Sequence, residues 1–238
     1  MNKLILTTVD GTGVNHTWVG YADQPDTSLI DQDQFSFAGT RGHIDPTDED
    51  KMYVFGSATL NQVIRYSLDG GQTWAQAAGM GISSASPVRQ LKGVGGGVVW
   101  AMSEAKLHKS TNDGANWSDV VGLPAGTTVN ADIFWTSATR GILARNFVGG
   151  SPVGGMLYRT TNGGGAWSAA VFSLQALGSP IAAESIRRVW VTDDTLDLVY
   201  LLTSHRLFQL DWNGSAYIAT LMWDFSAVIP STFPGLLI

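Results

Sequence analysis

The chain has no cysteine among its 238 residues. Disulfide staples, thiolate nucleophiles and cysteine-ligated metals are thereby excluded together. Charge is scarce: only 14% of residues are Asp, Glu, Lys or Arg, against roughly 25% in an ordinary soluble domain. Fourteen basic side chains face twenty acidic ones, for a formal charge of −6, and the basic residues are scattered, with only Arg187 and Arg188 adjacent. Nucleic acid, whose phosphates demand clustered cations, is excluded as a partner. Glutamate is rarer still, with Glu49, Glu104 and Glu184 set against seventeen Asp. Glu favours helix interiors and Asp favours turns and caps, so little helix is expected. No stretch of about 18 uninterrupted apolar residues exists, which predicts no membrane insertion by a helix. One lysine and a short apolar run, Leu4-Ile-Leu6, follow Met1. An export leader needs roughly 7–15 apolar residues, so none is expected and synthesis is assigned to the cytoplasm.

Hydrophobic residues make up 44% of the chain, which excludes intrinsic disorder. Twenty-eight Gly, nine Trp, nine Phe and six Tyr describe aromatic strands joined by tight turns. Self-similarity is the strongest signal. Val63-Ile-Arg-Tyr-Ser67-Leu-Asp69-Gly-Gly71-Gln-Thr73-Trp74 aligns without gaps with Lys106-Leu-His-Lys-Ser110-Thr-Asn112-Asp-Gly114-Ala-Asn116-Trp117. Met156-Leu-Tyr-Arg-Thr160-Thr-Asn162-Gly-Gly164-Gly-Ala166-Trp167 aligns with both. The shared pattern is Ser/Thr-x-Asp/Asn-x-Gly-x-x-Trp after an alternating strand. In such a turn Asp or Asn accepts bonds from backbone N–H groups just downstream. Gly takes a position of positive φ, and Trp opens the return strand with its ring across the hairpin. These residues read as a structural staple: Ser67, Asp69, Gly71 and Trp74, then Ser110, Asn112, Gly114 and Trp117, then Thr160, Asn162, Gly164 and Trp167.

The three segments resemble the Asp-box, or BNR repeat, of sialidase-like and sortilin-like β-propellers. The resemblance covers about twelve residues in each of three repeats and implies an all-β propeller of four-stranded blades. Strands placed around the motifs give blades at roughly 34–77, 86–121, 132–172 and 186–220, a period of about 47 residues. The last ends in Leu210-Asp-Trp-Asn213-Gly-Ser-Ala-Tyr217, a degenerate motif with Tyr in place of Trp. Residues 3–21 read as the third and outer strands around a further decayed motif, with residues 221–238 as the inner and second strands of the same blade. The expectation is a single five-bladed propeller over residues 1–238, closed by a composite blade that pairs the two ends. Closure of this kind removes exposed strand edges. The runner-up is an arc, or a different blade count completed by a partner chain.

The enzymes among the proteins resembled set specific requirements. A sialidase carries an arginine trio, a Tyr–Glu pair, an acid Asp and usually an Arg-Ile-Pro motif. Here there is no Arg-Ile-Pro, and none of the three Glu stands beside an evident Tyr. Asp-box hydrolases that cleave xyloglucan place two Asp in a cleft between two propellers, and this chain has room for one. Paired carboxyls are required for glycoside hydrolysis; Asp132 and Asp193 are the best candidates, against a simpler role as turn and strand caps. Two acidic runs, Asp45-Pro-Thr-Asp48-Glu49-Asp50 and Asp193-Asp194-Thr-Leu-Asp197, offer oxygens to a hard cation but lack the Gly-containing loop of an EF-hand. His16, His43, His108 and His205 have no spacing for zinc. Gly93-Val-Gly-Gly-Gly97 lies between strands, so it is a hairpin loop rather than a phosphate cradle. The long glycine-rich loop from Phe147 to Gly155 is an interaction candidate. Trp100, Trp135, Trp190, Trp212 and Trp223 lie outside the motifs and read as packing between blades, with sugar platforms as the alternative.

No catalytic set, metal site or cofactor is assigned, and the binding residues are not legible. The leading expectation is a non-catalytic propeller bound to other protein subunits of an assembly. A bacteriophage tail or neck particle fits this few-charged, Gly-, Thr-, Ser- and Asp-rich composition. The alternative is a solitary glycan-binding or glycoside-hydrolase-like protein, with surface glycans as its partner.

Overall fold

The computed structural model describes residues 3–9, 15–21, 30–31, 38–57, 64–79, 88–103, 106–123, 128–147, 154–177, 184–192 and 194–226. The chain divides into two units, Met1–Val121 and Gly122–Ile238. The first unit opens with β1 (Lys3–Val9), β2 (Asn15–Tyr21) and β3 (Ile30–Asp31), joined as one antiparallel sheet. A second sheet follows in simple order: β4 (Ala38–Asp45), β5 (Asp48–Ser57), β6 (Ile64–Ser67) and β7 (Ala75–Gln76). The third contains β8 (Gln90–Gly93), β9 (Val99–Met102), β10 (Leu107–Ser110) and β11 (Ser118–Asp119). In the second unit the fourth sheet is β12 (Thr128–Trp135), β13 (Gly141–Phe147), β14 (Gly155–Thr160) and β15 (Phe172–Ser173). The fifth is β16 (Ile186–Val191), β17 (Leu198–Thr203), β18 (Arg206–Trp212) and β19 (Tyr217–Asp224). Four sheets of four antiparallel strands in sequential order is the blade plan expected from the repeats. Among the described residues the one helical element is a 3-10 turn at Leu174–Leu177, and no helix is long and apolar enough to cross a membrane.

Each unit is held by apolar side chains between successive sheets. β9 is Val-Trp-Ala-Met and buried at every position, as expected for a strand covered on both faces. The first unit packs Tyr53, Val54, Phe55 and Ile64 against Val88, Leu91, Val99, Ala101 and Trp117. The second packs Ile142, Ala144, Leu157 and Phe172 against Ile186, Val189, Val199, Leu201, Phe208 and Tyr217. Each large side chain buried in this way contributes roughly 1.5–3 kcal/mol of transfer free energy.

The first strand of the second sheet is described over Ala38–Asp45, and residues 34–37, where that blade is expected to open, lie outside the described residues. β4 is mostly small or polar, and His43 and Asp45 tie it to the β8 segment by hydrogen bonds. Two strand assignments depart from the sequence expectation. In the N-terminal sheet β2 is the middle strand, with β3 beyond it, so residues 15–21 are not outermost. β1 lies beside β4 as β4 lies beside β8, which gives β1 the first place in its sheet rather than the third. Finally, β18 pairs with β19 as far as Arg206 opposite Asp224, past a bulge at Leu207/Phe208. Residues 221–224 therefore belong to the fifth sheet and not to a closing one; the rest of that expected piece, 227–238, lies outside the described residues.

Candidate functional site

The three repeated turns share one geometry. In the first, Ser67 Oγ donates to Asp69 Oδ1 at 2.7 Å and accepts from Gly71 N at 2.8 Å. Asp69 also accepts from Thr73 N at 2.9 Å and Thr73 Oγ1 at 2.6 Å, and Trp74 Nε1 donates to Gly71 O at 3.1 Å. These donors hold the Asp69 carboxyl down at about 2, the Thr73 hydroxyl and N–H contributing most. In the second turn Ser110 Oγ donates to Asn112 Oδ1 at 3.0 Å and accepts from Gly114 N at 3.0 Å. Asn112 accepts from Asn116 N at 2.9 Å, and Trp117 Nε1 donates to Gly114 O at 2.7 Å. The third turn repeats the pattern with Thr160, Asn162, Gly164 and Ala166, at 3.0, 3.1 and 2.9 Å. It differs at its tryptophan: Trp167 Nε1 is buried with no hydrogen-bond partner among the described residues, and its ring stands edge-on to Trp135 at 5.9 Å. The Ser67, Ser110 and Thr160 hydroxyls and the Asp69, Asn112 and Asn162 oxygens are bonded within the turns themselves.

Gly71 and Gly114 are required twice over, by φ values of +87° and +83° and by close neighbours. A Cβ on Gly114 would lie 2.8 Å from Tyr53 Cε1, and one on Gly71 would lie 2.9 Å from Val19 Cγ2. Tyr53 is in β5 and Val19 in β2, so each turn seats on the second strand of the sheet before it.

Of the carboxyls weighed for chemistry, Asp132 and Glu184 are bound within the fold. Asp132 is buried beside a bulge in β12, and its Oδ2 accepts from Val189 N of β16 at 2.6 Å, with Arg188 Nη1 3.8 Å from Oδ1. Asp193 lies outside the described residues. Glu184 is buried and grips Arg206 through two hydrogen bonds while accepting from Thr203 Oγ1 at 2.5 Å. Glu104 lies outside the described residues.

The acidic run at 45–50 is a hairpin turn. Asp45, buried, accepts from Thr47 N and Oγ1 at 2.9 and 2.7 Å and from Gly95 N at 3.4 Å. The cation beside it is internal: Lys51 Nζ lies 2.9 Å from Asp113 and 3.6 Å from Asp48, and the Asp113 hydrogen bond raises the lysine pKa. The 194–197 run is likewise clamped, by Arg140 Nη1 on Asp194 O at 2.9 Å and by Arg159 Nη2 on Thr195 O at 2.7 Å. Arg159 also lies 3.4 Å from the Asp197 carboxylate. Among the described residues no group of three or more His, Asp or Glu is placed to hold a metal ion.

The histidines are dispersed. His43 Nε2 accepts from Gly93 N of β8 at 2.9 Å, which requires the neutral ring, and burial with the Lys92 charge lowers its pKa to about 4. His108 is buried with Nδ1 2.8 Å from Asp119 Oδ1, and burial lowers its pKa as well. His205 Nδ1 meets Ser204 Oγ at 2.8 Å, and the side chain of His16 lies outside the described residues. Gly93–Gly97 forms the β8–β9 hairpin, with Val94 N on Val98 O at 3.1 Å. Of the Phe147–Gly155 loop, residues 148–153 lie outside the described residues.

Sequence reasoning missed a recurrent bond between first strands. His43 and Asp45 of β4 bind backbone N–H groups at Gly93 and Gly95, and Arg41 Nη1 donates to Arg89 O at 2.6 Å. In the second unit Asp132 plays this part, joined by Asn146, whose amide accepts from Ile186 N at 2.8 Å and donates to Ile186 O at 3.0 Å. The signal available was a polar residue at an inward position of a strand.

The five other tryptophans separate by exposure. Trp100 is buried under the Lys109 ammonium at 4.8 Å, Trp135 packs on Trp167, and Trp212 lies beneath the Arg159 guanidinium at 4.4 Å. Trp190, 36% exposed, stacks on Tyr200 at 6.1 Å, and Trp223 is 66% exposed. Ile218, Leu221 and Met222 are exposed beside Trp223 on the same outer strand.

No protein-family model matches the chain, and no curated protein matches it. Its fold is that of solved β-propellers. The GH74 xyloglucanase from Xanthomonas campestris superposes with a TM-score of 0.64 at 15% identity, over 90% of this chain and 35% of that one. A GH74 enzyme from Niastella koreensis gives 0.58 at 16% identity, again over 90% of this chain and 35% of that one. YCF48 from Cyanidioschyzon merolae gives 0.53 at 20% identity, over 76% of this chain and 54% of that one. The chain thus spans about a third of the length of the two GH74 enzymes.

Proposed function

We propose that the chain is a non-catalytic propeller that binds other protein subunits within a larger assembly. One observation carries this: all three buried carboxyls among the described residues, Asp45, Asp132 and Glu184, accept hydrogen bonds internal to the fold. Glycoside hydrolysis needs one carboxyl able to give a proton and a second facing substrate about 5–10 Å away. A carboxylate that accepts a backbone N–H from the adjoining sheet serves neither part. On this reading the Ser/Thr, Asp/Asn, Gly and Trp of the three turns are Asp-box residues that hold the blades. On the same reading all 238 residues form one five-bladed propeller domain.

The assembly favoured by composition is a bacteriophage tail or neck particle. Co-sedimentation of the tagged full-length chain with a multimeric particle tests the reading, beside assays for sugar release from xyloglucan and sialyl-glycans. Association without sugar release is the expected result; turnover of either glycan overturns it.

A second reading, recognition of surface glycans, is favoured by the exposed Trp190 stacked on Tyr200. Quenching of tryptophan fluorescence by a glycan, lost in Trp190→Ala, would support it.

A further inference from the structure

β19 is unlike the other outer strands. β7, β11 and β15 span two residues each, whereas β19 runs for eight. Among the described residues no strand pairs with its far side. Four of its exposed side chains are large and apolar: Ile218 at 56%, Leu221 at 50%, Met222 at 49% and Trp223 at 66%. Free edges are ordinarily guarded by short length, lysine or proline. From Tyr217 to Asp224 there is no Lys, Arg or Pro.

The one charged residue of β19 itself is Asp224, and a second carboxylate, Asp211 of β18, stands near the other end. Asp211 pairs with Ile218 near one end, and Asp224 terminates the other opposite Arg206. Arg206 is gripped by two hydrogen bonds from Glu184 and also attracts the Asp224 carboxylate opposite it. Asp224 caps the following turn by accepting from Ser226 N at 2.9 Å.

We infer that the β19 edge accepts an extended strand from a protein partner, apolar along its middle and carrying Lys or Arg at its ends. The inference rests on the protein-binding reading above and names where and what that reading would bind. Main-chain hydrogen bonds would supply affinity, while the apolar side chains and terminal carboxylates would supply selection. A second copy fits less well: antiparallel pairing of two β19 edges brings Asp224 of one copy toward Asp211 of the other. Residues 227–238 contain no Lys or Arg to meet either carboxylate.

The test uses the full-length chain and fluorescence anisotropy of a labelled peptide of about twelve residues, alternating valine and threonine with two lysines at each end. The same peptide with glutamates at its ends is the control. The lysine peptide should bind about tenfold or more tightly than the control, with the advantage shrinking as salt is raised. Ile218→Lys and Trp223→Lys should each weaken binding about tenfold while leaving the far-UV spectrum and melting temperature unchanged. Equal affinity for both peptides overturns the inference, as does unchanged binding by both variants. A dimer that Trp223→Lys dissolves would give the edge to a second copy; binding that appears only after residues 227–238 are removed would give it to that segment. Either result also overturns the inference. Peptide failure with particle association intact removes this site alone, whereas loss of particle association by the unaltered chain removes the protein-binding reading itself.

Discussion

The backbone N–H of Tyr217 donates to the carbonyl of Val171 across 2.9 Å, tying the last turn of the fifth sheet to the residue just before β15 in the fourth. Trp117 makes the same bond to Ala78 O at 3.1 Å in the first unit. The turn before Tyr217 has lost the Ser/Thr-x-Asp/Asn frame, and Asn213 closes it alone by accepting from Ser215 N and Ala216 N at 3.0 and 2.9 Å. The aromatic residue and its bond to the preceding sheet persist where the rest of the motif has decayed. The tie between sheets is thus separable from the turn that delivers it.

Tyr217 also donates its hydroxyl to Leu196 O at 2.6 Å, and Leu196 is buried at a φ of +64°, unusual for a branched side chain. Tyr217→Phe keeps the ring and removes that hydrogen bond. Stability should fall by about 1–2 kcal/mol, read as a lower urea midpoint at constant slope.

Two glycine substitutions separate backbone strain from crowding. Gly214 has a φ of +97° with nothing within 4 Å of a would-be Cβ. Gly214→Ala should therefore cost only the left-handed penalty of about 1–2 kcal/mol. Gly114→Ala adds the collision with Tyr53 and should cost about 2–4 kcal/mol. Thermal unfolding of the two variants should rank them in that order; the reverse would show that Tyr53 yields without cost.

The repeats made most of this architecture legible, because Trp and Gly at fixed offsets mark turns that must take a left-handed backbone. The fifth sheet was traceable without an intact motif, since β17 alternates Val199, Leu201 and Thr203 inward with Leu198, Tyr200 and Leu202 outward. β4 was not, because His43 and Asp45 bind the neighbouring strand through polar atoms that a hydrophobic pattern does not register. The extent of β19 escaped for the opposite reason. Its apolar run carries no period and no stop before Asp224, and a bulge shifts its register. Of the candidate pair Asp132 and Asp193, Asp132 was visible in the sequence, but its partner, Val189 N, is set by sheet packing and not by spacing along the chain, and Asp193 lies outside the described residues.

His43 makes the first unit sensitive to acid. The neutral ring accepts from Gly93 N, and its pKa is lowered to about 4 by burial and the Lys92 charge, against the opposing pull of Asp45. The folded state thus binds fewer protons than the unfolded chain, whose imidazole titrates near 6.5. The contribution is whole above that value, declines as pH falls from about 6.5 to 4, and levels off below. The loss is on the order of 3 kcal/mol. Urea unfolding across this range should show a steeper decline for the natural chain than for His43→Gln, whose amide oxygen can still accept from Gly93 N without titrating.

Asp132 offers the sharpest separation between a structural and a catalytic carboxyl. Its Oδ2 receives Val189 N at 2.6 Å in a buried position, so Asp132→Ala strands an N–H between the first strands of two sheets. That should cost about 1–3 kcal/mol. Asp132→Asn can present its carbonyl oxygen to the same N–H and should recover much of the loss, although it could not act as an acid or a nucleophile. A catalytic role predicts the opposite pattern, with the Asn variant stable but inactive toward any glycan the natural chain cleaves. Unfolding curves for both variants, run beside a sugar-release assay, distinguish the two. Recovery of stability by Asn with no activity to lose places Asp132 among the groups that join the sheets.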